Sequence, residues 1–284
     1  MNRCFFLFLL LLSCSVSFAQ TKRALVIGIG KYAPGTGWHS INGDRDADSV
    51  VRMLALTGFK DVVCLKNEKA TKANIVRAFN ALAGRCRLGD VVYIHFSGHG
   101  QQVKDANGDE VDDALDESWI PYDACVSLCA KDRGEKHLVD DEIGALLDNV
   151  YAKVGDEGRI LVVADACHSA SSTRYDSSEG LVTRGSDKVF QTKVRNDISH
   201  HPQNWILLSA CADKQCNVEL KNPAMGMLTF AIISLVRNGR TDDNKDFVVK
   251  IQRFFDRHRS SLGEQTVSIS GDKSLFKISQ LFVK

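Results

Sequence analysis

Short apolar runs recur along this chain, each ending in small or polar residues, with stretches of helical period between them. Arg23-Ala24-Leu25-Val26-Ile27-Gly28 predicts a first strand, closing on Gly28 and Gly30. After a Gly- and aromatic-rich loop over 31–43, residues 46–56 predict a helix with Val50, Val51, Met53 and Leu54 on its apolar side. Residues 61–65 predict a short strand, and Thr71 caps a helix with Ile75, Ala78, Phe79 and Leu82 at helical spacing. Val91 to Phe96 predicts the next strand. The first third therefore reads β-α-β-α-β, the pattern of a parallel sheet with right-handed crossovers. A helix from Asp140 to about Tyr151 leads into Ile160-Leu161-Val162-Val163-Ala164, a continuous run suited to a central strand covered on both faces.

Residues 171–203 hold few apolar side chains and carry Arg174, Arg184, Lys188, Lys193 and Arg195, which predicts a long exposed loop. Beyond it, Trp205 to Leu208 is a strand candidate ending in Ser209-Ala210-Cys211. Helices are expected over 225–236 and 246–258 and a last strand over 265–269, with no internal repeat. The sum is an α/β fold.

Two strand ends carry the chemistry. Side chains alternate along a strand, so Asp165 and Cys167 point to one side if the extended run continues that far. The other strand runs into Ser97-Gly98-His99-Gly100, where the glycines allow a sharp turn. If the two strands are parallel neighbours, His99 and Cys167 emerge at one edge, where open α/β sheets bind ligands. A Cys with a distant His is the arrangement of a nucleophile and its general base. Loop or helix amides would lower the pKa of Cys167. The backbone N–H groups of Gly100 and Cys167 are the candidate oxyanion donors. No Asp or Asn is placed to orient His99, so a dyad is expected rather than a triad. His95 and His168 are the competing histidines, and a zinc site built from them lacks standard spacing.

Composition adds context. Arg3, the apolar run Cys4 to Leu12 and Ser17-Phe18-Ala19 read as an export signal over 1–19 with cleavage before Gln20; a lipoprotein cut before Cys14 is the alternative. No other run approaches the ~20 apolar residues of a membrane helix. The formal charge of +1 leaves no nucleic-acid footprint. The expected organisation is one domain over 20–284: a large part to about 172, a linker over 173–203 and a small part over 204–284. Of nine cysteines, seven follow residue 19; Cys125/Cys129 and Cys211/Cys216 are plausible local pairs, or all stay reduced. The carboxylates at 105–117 mean either a hard cation or a solvated loop.

His95-Phe96-Ser97-Gly98-His99-Gly100-Gln101-Gln102 and Asp165-Ala166-Cys167-His168-Ser169-Ala170 resemble the two motifs of caspase-fold cysteine peptidases, nearest the metacaspases and their bacterial relatives. Asp109-Glu110-x-Asp112, Pro121-x-Asp123, Asp140-Asp141-Glu142 and Gly226-x-x-Thr229-Phe230 are similar too, so the resemblance runs from about Arg23 to Phe276. It implies a three-layer α-β-α sandwich around a mostly parallel six-stranded sheet, with Cys–His peptidase activity. Asp165 stands where the caspase signature has Gln, and a carboxylate there repels an Asp substrate and favours Arg or Lys before the cut, as the resemblance also implies. Good recognition of a guanidinium asks for a second acid. Asp46 (or Asp44) is the candidate, against the reading of a helix-start acid facing water; Ser97 and Ser209 are further pocket candidates. The resemblance also implies Ca²⁺, with Asp113, Asp140 and Asp141 as candidate ligands. An enzyme cutting after Arg or Lys could cut its own basic loop between Arg174 and Arg195. The expected partners are protein or peptide substrates, and a monomer is the working expectation. The competing readings are a clostripain- or gingipain-like peptidase, a catalytically inactive caspase-fold binding module, and a protein whose cysteines are structural.

Overall fold

The computed structural model describes residues 20–105, 115–167, 181–192, 203–212, 215–239 and 243–283. The export signal read at 1–19, His168 and Asp113 lie outside the described residues.

In chain order the elements are β1 Lys22–Gly28, α1 Gly43–Leu56, β2 Asp61–Lys66, α2 Lys72–Arg85, β3 Val91–Ser97, β4 Gly100–Lys104, β5 Leu115–Trp119 and β6 Leu138–Val139. Then follow α3 Asp140–Val154, β7 Arg159–Asp165, β8 Ile206–Ser209, β9 Glu219–Lys221, β10 Ala224–Gly226, α4 Met227–Arg237, α5 Asn244–Leu262 and β11 Ser268–Ser270. Six strands form the main sheet in the order β11-β8-β7-β3-β1-β2, parallel throughout except for the edge strand β11. Strands β3 and β7 are buried almost end to end, which is why their sequences are runs rather than alternations.

Alternation along the strands sorts the core into two layers. Ala24, Val26, Tyr93, Leu161, Val163, Ile206 and Leu208 face one side, packed with residues of α1, α4 and α5. Leu25, Ile27, Val92, Ile94, Ile160 and Val162 face the other, packed with α2 and α3. Thr71 Oγ accepts from Asn74 N at 3.3 Å and caps α2. Asp243 does the same for α5 through Asp246 N at 2.8 Å. The sandwich is the expected one.

Three differences bear on the site. Helix α1 starts at Gly43 rather than Asp46, because Gly28 and Gly43 let it press onto the end of β1: a Cβ on Gly28 would lie 2.5 Å from Ala47 Cβ. A small antiparallel sheet, β4-β5-β6, stands at the rim of the main sheet and was not foreseen. Residues 181–192 are not exposed as a whole, since Arg184 and Phe190 are almost fully buried. Tertiary contacts that no local pattern encodes hold them there. Cys125 and Cys129 form a disulfide. Cys211 and Cys216 form no disulfide with each other.

Candidate active site

β3 and β7 are adjacent and in register, with Ser97 opposite Asp165. His99 and Cys167, each two residues further on, therefore leave the sheet at the same rim. The backbone closes the gap: Gly100 N and Cys167 N both donate to the carbonyl oxygen of Arg184, at 3.1 and 3.0 Å. Both segments thus meet around one acyl oxygen, the arrangement an oxyanion hole requires.

His99 is fully buried in an aromatic box. Trp38 stacks on its imidazole at 4.7 Å, Tyr32 packs at 5.1 Å and His39 meets it edge-on at 4.5 Å. The Tyr32 hydroxyl accepts from His99 N at 2.7 Å. The ring's Nε2 lies 3.0 Å from the carbonyl oxygen of His39. A carbonyl only accepts, so Nε2 carries the proton and Nδ1 presents its lone pair. That Nδ1 is buried without a hydrogen-bond partner, as a waiting base would be. Burial above all, with the neighbouring His39 and Arg184, pulls the imidazole down to about 3, so it is neutral at pH 7. A backbone carbonyl orients this histidine, which is why no acidic residue signalled it in the sequence.

The Cys167 thiol donates to the carbonyl oxygen of Gln215 at 2.9 Å. Its pKa is raised well above the ordinary thiol value, first through its hydrogen bond with Cys211 and then through burial, against the lowering effect of Cys216. The backbone amide of Asn217 does lower it, as amides were expected to, but Cys211 and burial outweigh that effect, and the net direction is up. No hydrogen bond joins His99 Nδ1 to the sulfur, although the backbones of both segments meet at the Arg184 carbonyl.

Below the rim lies a closed polar pocket filled by the side chain of Arg184. Its Nη2 lies 2.6 Å from Asp46 Oδ2 and 2.7 Å from Glu219 Oε1. Nη1 donates to Ser97 Oγ at 2.6 Å and to Asp165 O at 3.1 Å, with Asp165 Oδ1 at 3.6 Å. A planar guanidinium with several directed donors suits such a set. Ser97 Oγ in turn donates to Asp46 Oδ2 at 2.6 Å. Asp165 is fixed by Asn217 Nδ2 at 2.7 Å and by Thr229 N and Oγ1 at 2.8 and 2.6 Å. Burial would raise Asp165, but Arg184 and these donors hold it below the usual carboxylate range. Burial pushes Asp46 up to about 7, with Arg184 pulling it down and Asp165 adding to the rise.

The backbone of the occupant is held as well. Thr183 bridges to Val218 antiparallel, with Arg184 N donating to Asn217 O at 2.9 Å and Glu219 N to Val182 O at 2.9 Å. His39 Nε2 lies 3.0 Å from Thr183 O.

The structure thus brings Asp46, Ser97, Asp165, Gly100, His99 and Cys167 together. It does not bring Ser209, which ends β8 on the opposite face. There it lines a cavity of about 240 Å³ with Glu117, Asp140, Asp141 and Trp205. A strand's alternation puts Leu208 toward the pocket's layer and Ser209 away from it. Asp44 also stays outside, accepting from Asn67 Nδ2 at 3.2 Å. His95 is a core histidine between Tyr93 and Thr229. Asp140 and Asp141 open α3 and line the same cavity as Ser209. Among the described residues no group of three or more His, Cys, Asp or Glu is gathered to hold a metal ion. Sequence reasoning missed Glu219, Asn217 and the box of Tyr32, Trp38 and His39. Only Gly226-x-x-Thr229 gave a local signal, and its Thr229 proves to fix Asp165.

Sheet order, rim geometry and the Cys–His–acid grouping together define the caspase-fold cysteine peptidases. The model of the caspase domain matches residues 21–277, and the chain belongs to that family. It is 27% identical to metacaspase-3 of Trypanosoma brucei brucei over 93% of this chain and 76% of that protein. It is 31% identical to metacaspase-2 of Trypanosoma brucei brucei over 72% of this chain and 58% of the relative. With metacaspase-1A of Neurospora crassa the identity is 34%, over 53% of this chain and 32% of the relative. The chain thus spans only part of these curated relatives, between a third and three quarters of their length. A solved structure from Geobacter sulfurreducens superposes with a TM-score of 0.69 at 24% identity, covering 93% of this chain and 99% of that one, and shares the fold. Among the described residues no helix is long and apolar enough to cross a membrane.

Proposed function

We propose that this protein is a cysteine endopeptidase that cuts after Arg or Lys, and that its first substrate is its own Arg184–Gly185 bond. The supporting observation is the seating of Arg184: its side chain fills an acidic pocket while its carbonyl oxygen takes both amides of the oxyanion hole. In the reaction His99 Nδ1 takes the thiol proton and Cys167 Sγ attacks the Arg184 carbonyl carbon. The oxyanion is held by Gly100 N and Cys167 N. Collapse breaks the C–N bond, His99 returns its proton to the Gly185 amine, and water hydrolyses the thioester. In the closed state the thiol is raised and the imidazole depressed, so proton transfer runs uphill until the sulfur rotates off Gln215 O. Self-cutting is therefore slower than later turnover. The leader-like residues 1–19 add export to the reading.

The test is hydrolysis of matched fluorogenic peptides ending in Arg, Lys or Asp by wild type and Cys167→Ala. Arg and Lys peptides are expected to be cut by wild type alone, with mass spectrometry finding a new amino terminus at Gly185. Cutting after Asp only, or identical intact chains for both proteins together with no turnover, refutes the proposal. A second reading, a caspase-fold binding module, is disfavoured by the complete set of nucleophile, base and oxyanion donors.

A further inference from the structure

Past the proposed cut the chain does not leave the protein. Gly185 lies beside Gly100 and Phe190 beside Val103, both in parallel pairing along β4. Phe190 N donates to Gln102 O at 2.8 Å, and Lys104 N donates to Phe190 O at 2.9 Å. Gln101 Nε2 donates to Lys188 O at 2.8 Å. The edge of β4 that faces away from β5 is thereby paired instead of presenting unmet amides and carbonyls.

Side-chain recognition is concentrated at one position. The Phe190 ring is 1% exposed and forms its own small cluster with Val103 and Val139. The His137 imidazole closes the pocket, with ring centroids 4.1 Å apart. Gln101 holds that wall, its Oε1 3.1 Å from His137 Nε2. The pocket thus comes from β4, β6 and the turn before β6, all outside the segment that fills it. Around Phe190 the segment is otherwise short or polar: Gly185, Ser186, Asp187, Lys188, Gln191 and Thr192, with Val189 the exception. Backbone pairing along an edge with one anchored side chain is how strand-addition sites bind peptides.

We propose that the outer edge of β4 and the pocket around Phe190 form a docking groove for extended polypeptide on the leaving side of the cut. It takes substrates with an aromatic residue six positions after the scissile bond, and residues 185–192 are its resident occupant. The proposal rests on the peptidase reading for what the groove serves, but not for what it binds. A second constraint acts at the entrance, where a Cβ on Gly185 would lie 2.7 Å from Cys167 O, so glycine suits the first position after the cut. The resident segment stays tethered after cleavage, and its high effective concentration makes incoming substrate compete with it.

The groove is tested in the full-length Cys167→Ala/Phe190→Ala protein, which has lost its own anchor. A fluorescent Gly-Ser-Asp-Lys-Val-Phe-Gln-Thr peptide is titrated against the same peptide with Ala for Phe. Binding roughly tenfold or more tighter for the Phe peptide is expected, the order that burial of one aromatic side chain supplies. Affinities within twofold overturn the groove. Should the double variant fail to fold, wild-type enzyme is given Val-Thr-Arg-Gly-Ser-Asp-Lys-Val-Phe-Gln-Thr and its Phe-to-Ala analogue. A KM several-fold lower for the Phe peptide supports the groove; equal KM with equal kcat overturns it while leaving the peptidase reading intact. No cutting of either peptide, with the Phe peptide still bound tighter by the Cys167→Ala protein, removes the peptidase reading and keeps the groove.

Discussion

Replacing Arg184 by Ala in the Cys167→Ala protein, where no cut intervenes, isolates what the seated guanidinium does for stability. Arg184, Asp46 and Asp165 are completely buried and Glu219 nearly so, hence the substitution leaves three carboxylates around a cavity with no counter-charge. Breaking a buried ion pair by removing one partner costs about 3–5 kcal/mol. Water entering the vacated pocket relieves part of that, so a loss of about 3 kcal/mol at pH 8 is expected. For a chain of this size that is a fall of roughly 6–12 °C in Tm. The loss also depends on pH. Asp46 stands at about 7 in the folded protein against 3.8 for an ordinary aspartate side chain, a raised value. Its contribution is therefore largest below the unfolded value and is lost as pH rises through about 7. Without Arg184 its pKa climbs further, and protonation at pH 5.5 spares the pocket one charge. The gap between variant and parent should narrow by on the order of 1 kcal/mol from pH 8 to pH 5.5. Urea unfolding at the two pH values measures both numbers. A variant within about 0.5 kcal/mol of its parent at pH 8 would refute the reasoning, because the carboxylates would then be as well solvated without the guanidinium as with it.

Two further outcomes follow from the same geometry. Gly226→Ala sets a methyl group against Asp165 Oδ2 and 2.7 Å from Arg184 Nη1. Turnover of Arg peptides and the cut at Gly185 should both drop at least about tenfold, with KM carrying most of the loss; a normal KM would mean that the arginine enters elsewhere. Acid should destabilise the uncut protein below about pH 6.5, because three depressed histidines outweigh the single raised carboxyl of Asp46, which acts in the opposite sense. Burial depresses His99 to about 3 and His95 and His137 to about 4, so the unfolded chain binds protons from about pH 6.5 downward that the folded one refuses. Stability present at pH 7 is thus lost as pH falls, by up to about 1.4 kcal/mol per pH unit for each such histidine. Urea midpoints unchanged between pH 7 and pH 5 would show that these rings are hydrated.

The core was legible in the sequence because its signals are local. Continuous apolar runs gave β1, β3 and β7, and helical spacing gave α1, α2 and α3 to within a few residues. Asp165 and Cys167 declared themselves by parity along a strand end, and His99 by its place between two glycines after another. The pocket was only half legible. Asp46 could be named as a candidate but not separated from a water-facing helix-start acid, since that choice depends on how closely α1 packs against β1.

What the sequence by itself determined was the layered α/β order and the two residue types delivered to a sheet rim, because strand period and chain continuity fix them. What only the tertiary structure decided was the rest of the site. Glu219 reaches Arg184 from 35 residues away and Asp46 from 138, while a carbonyl of His39, not an acid, fixes the base. A linker that looks polar residue by residue is buried at Arg184 and Phe190, because three carboxylates and an aromatic pocket, assembled from distant strands, compensate the loss of water at those two side chains.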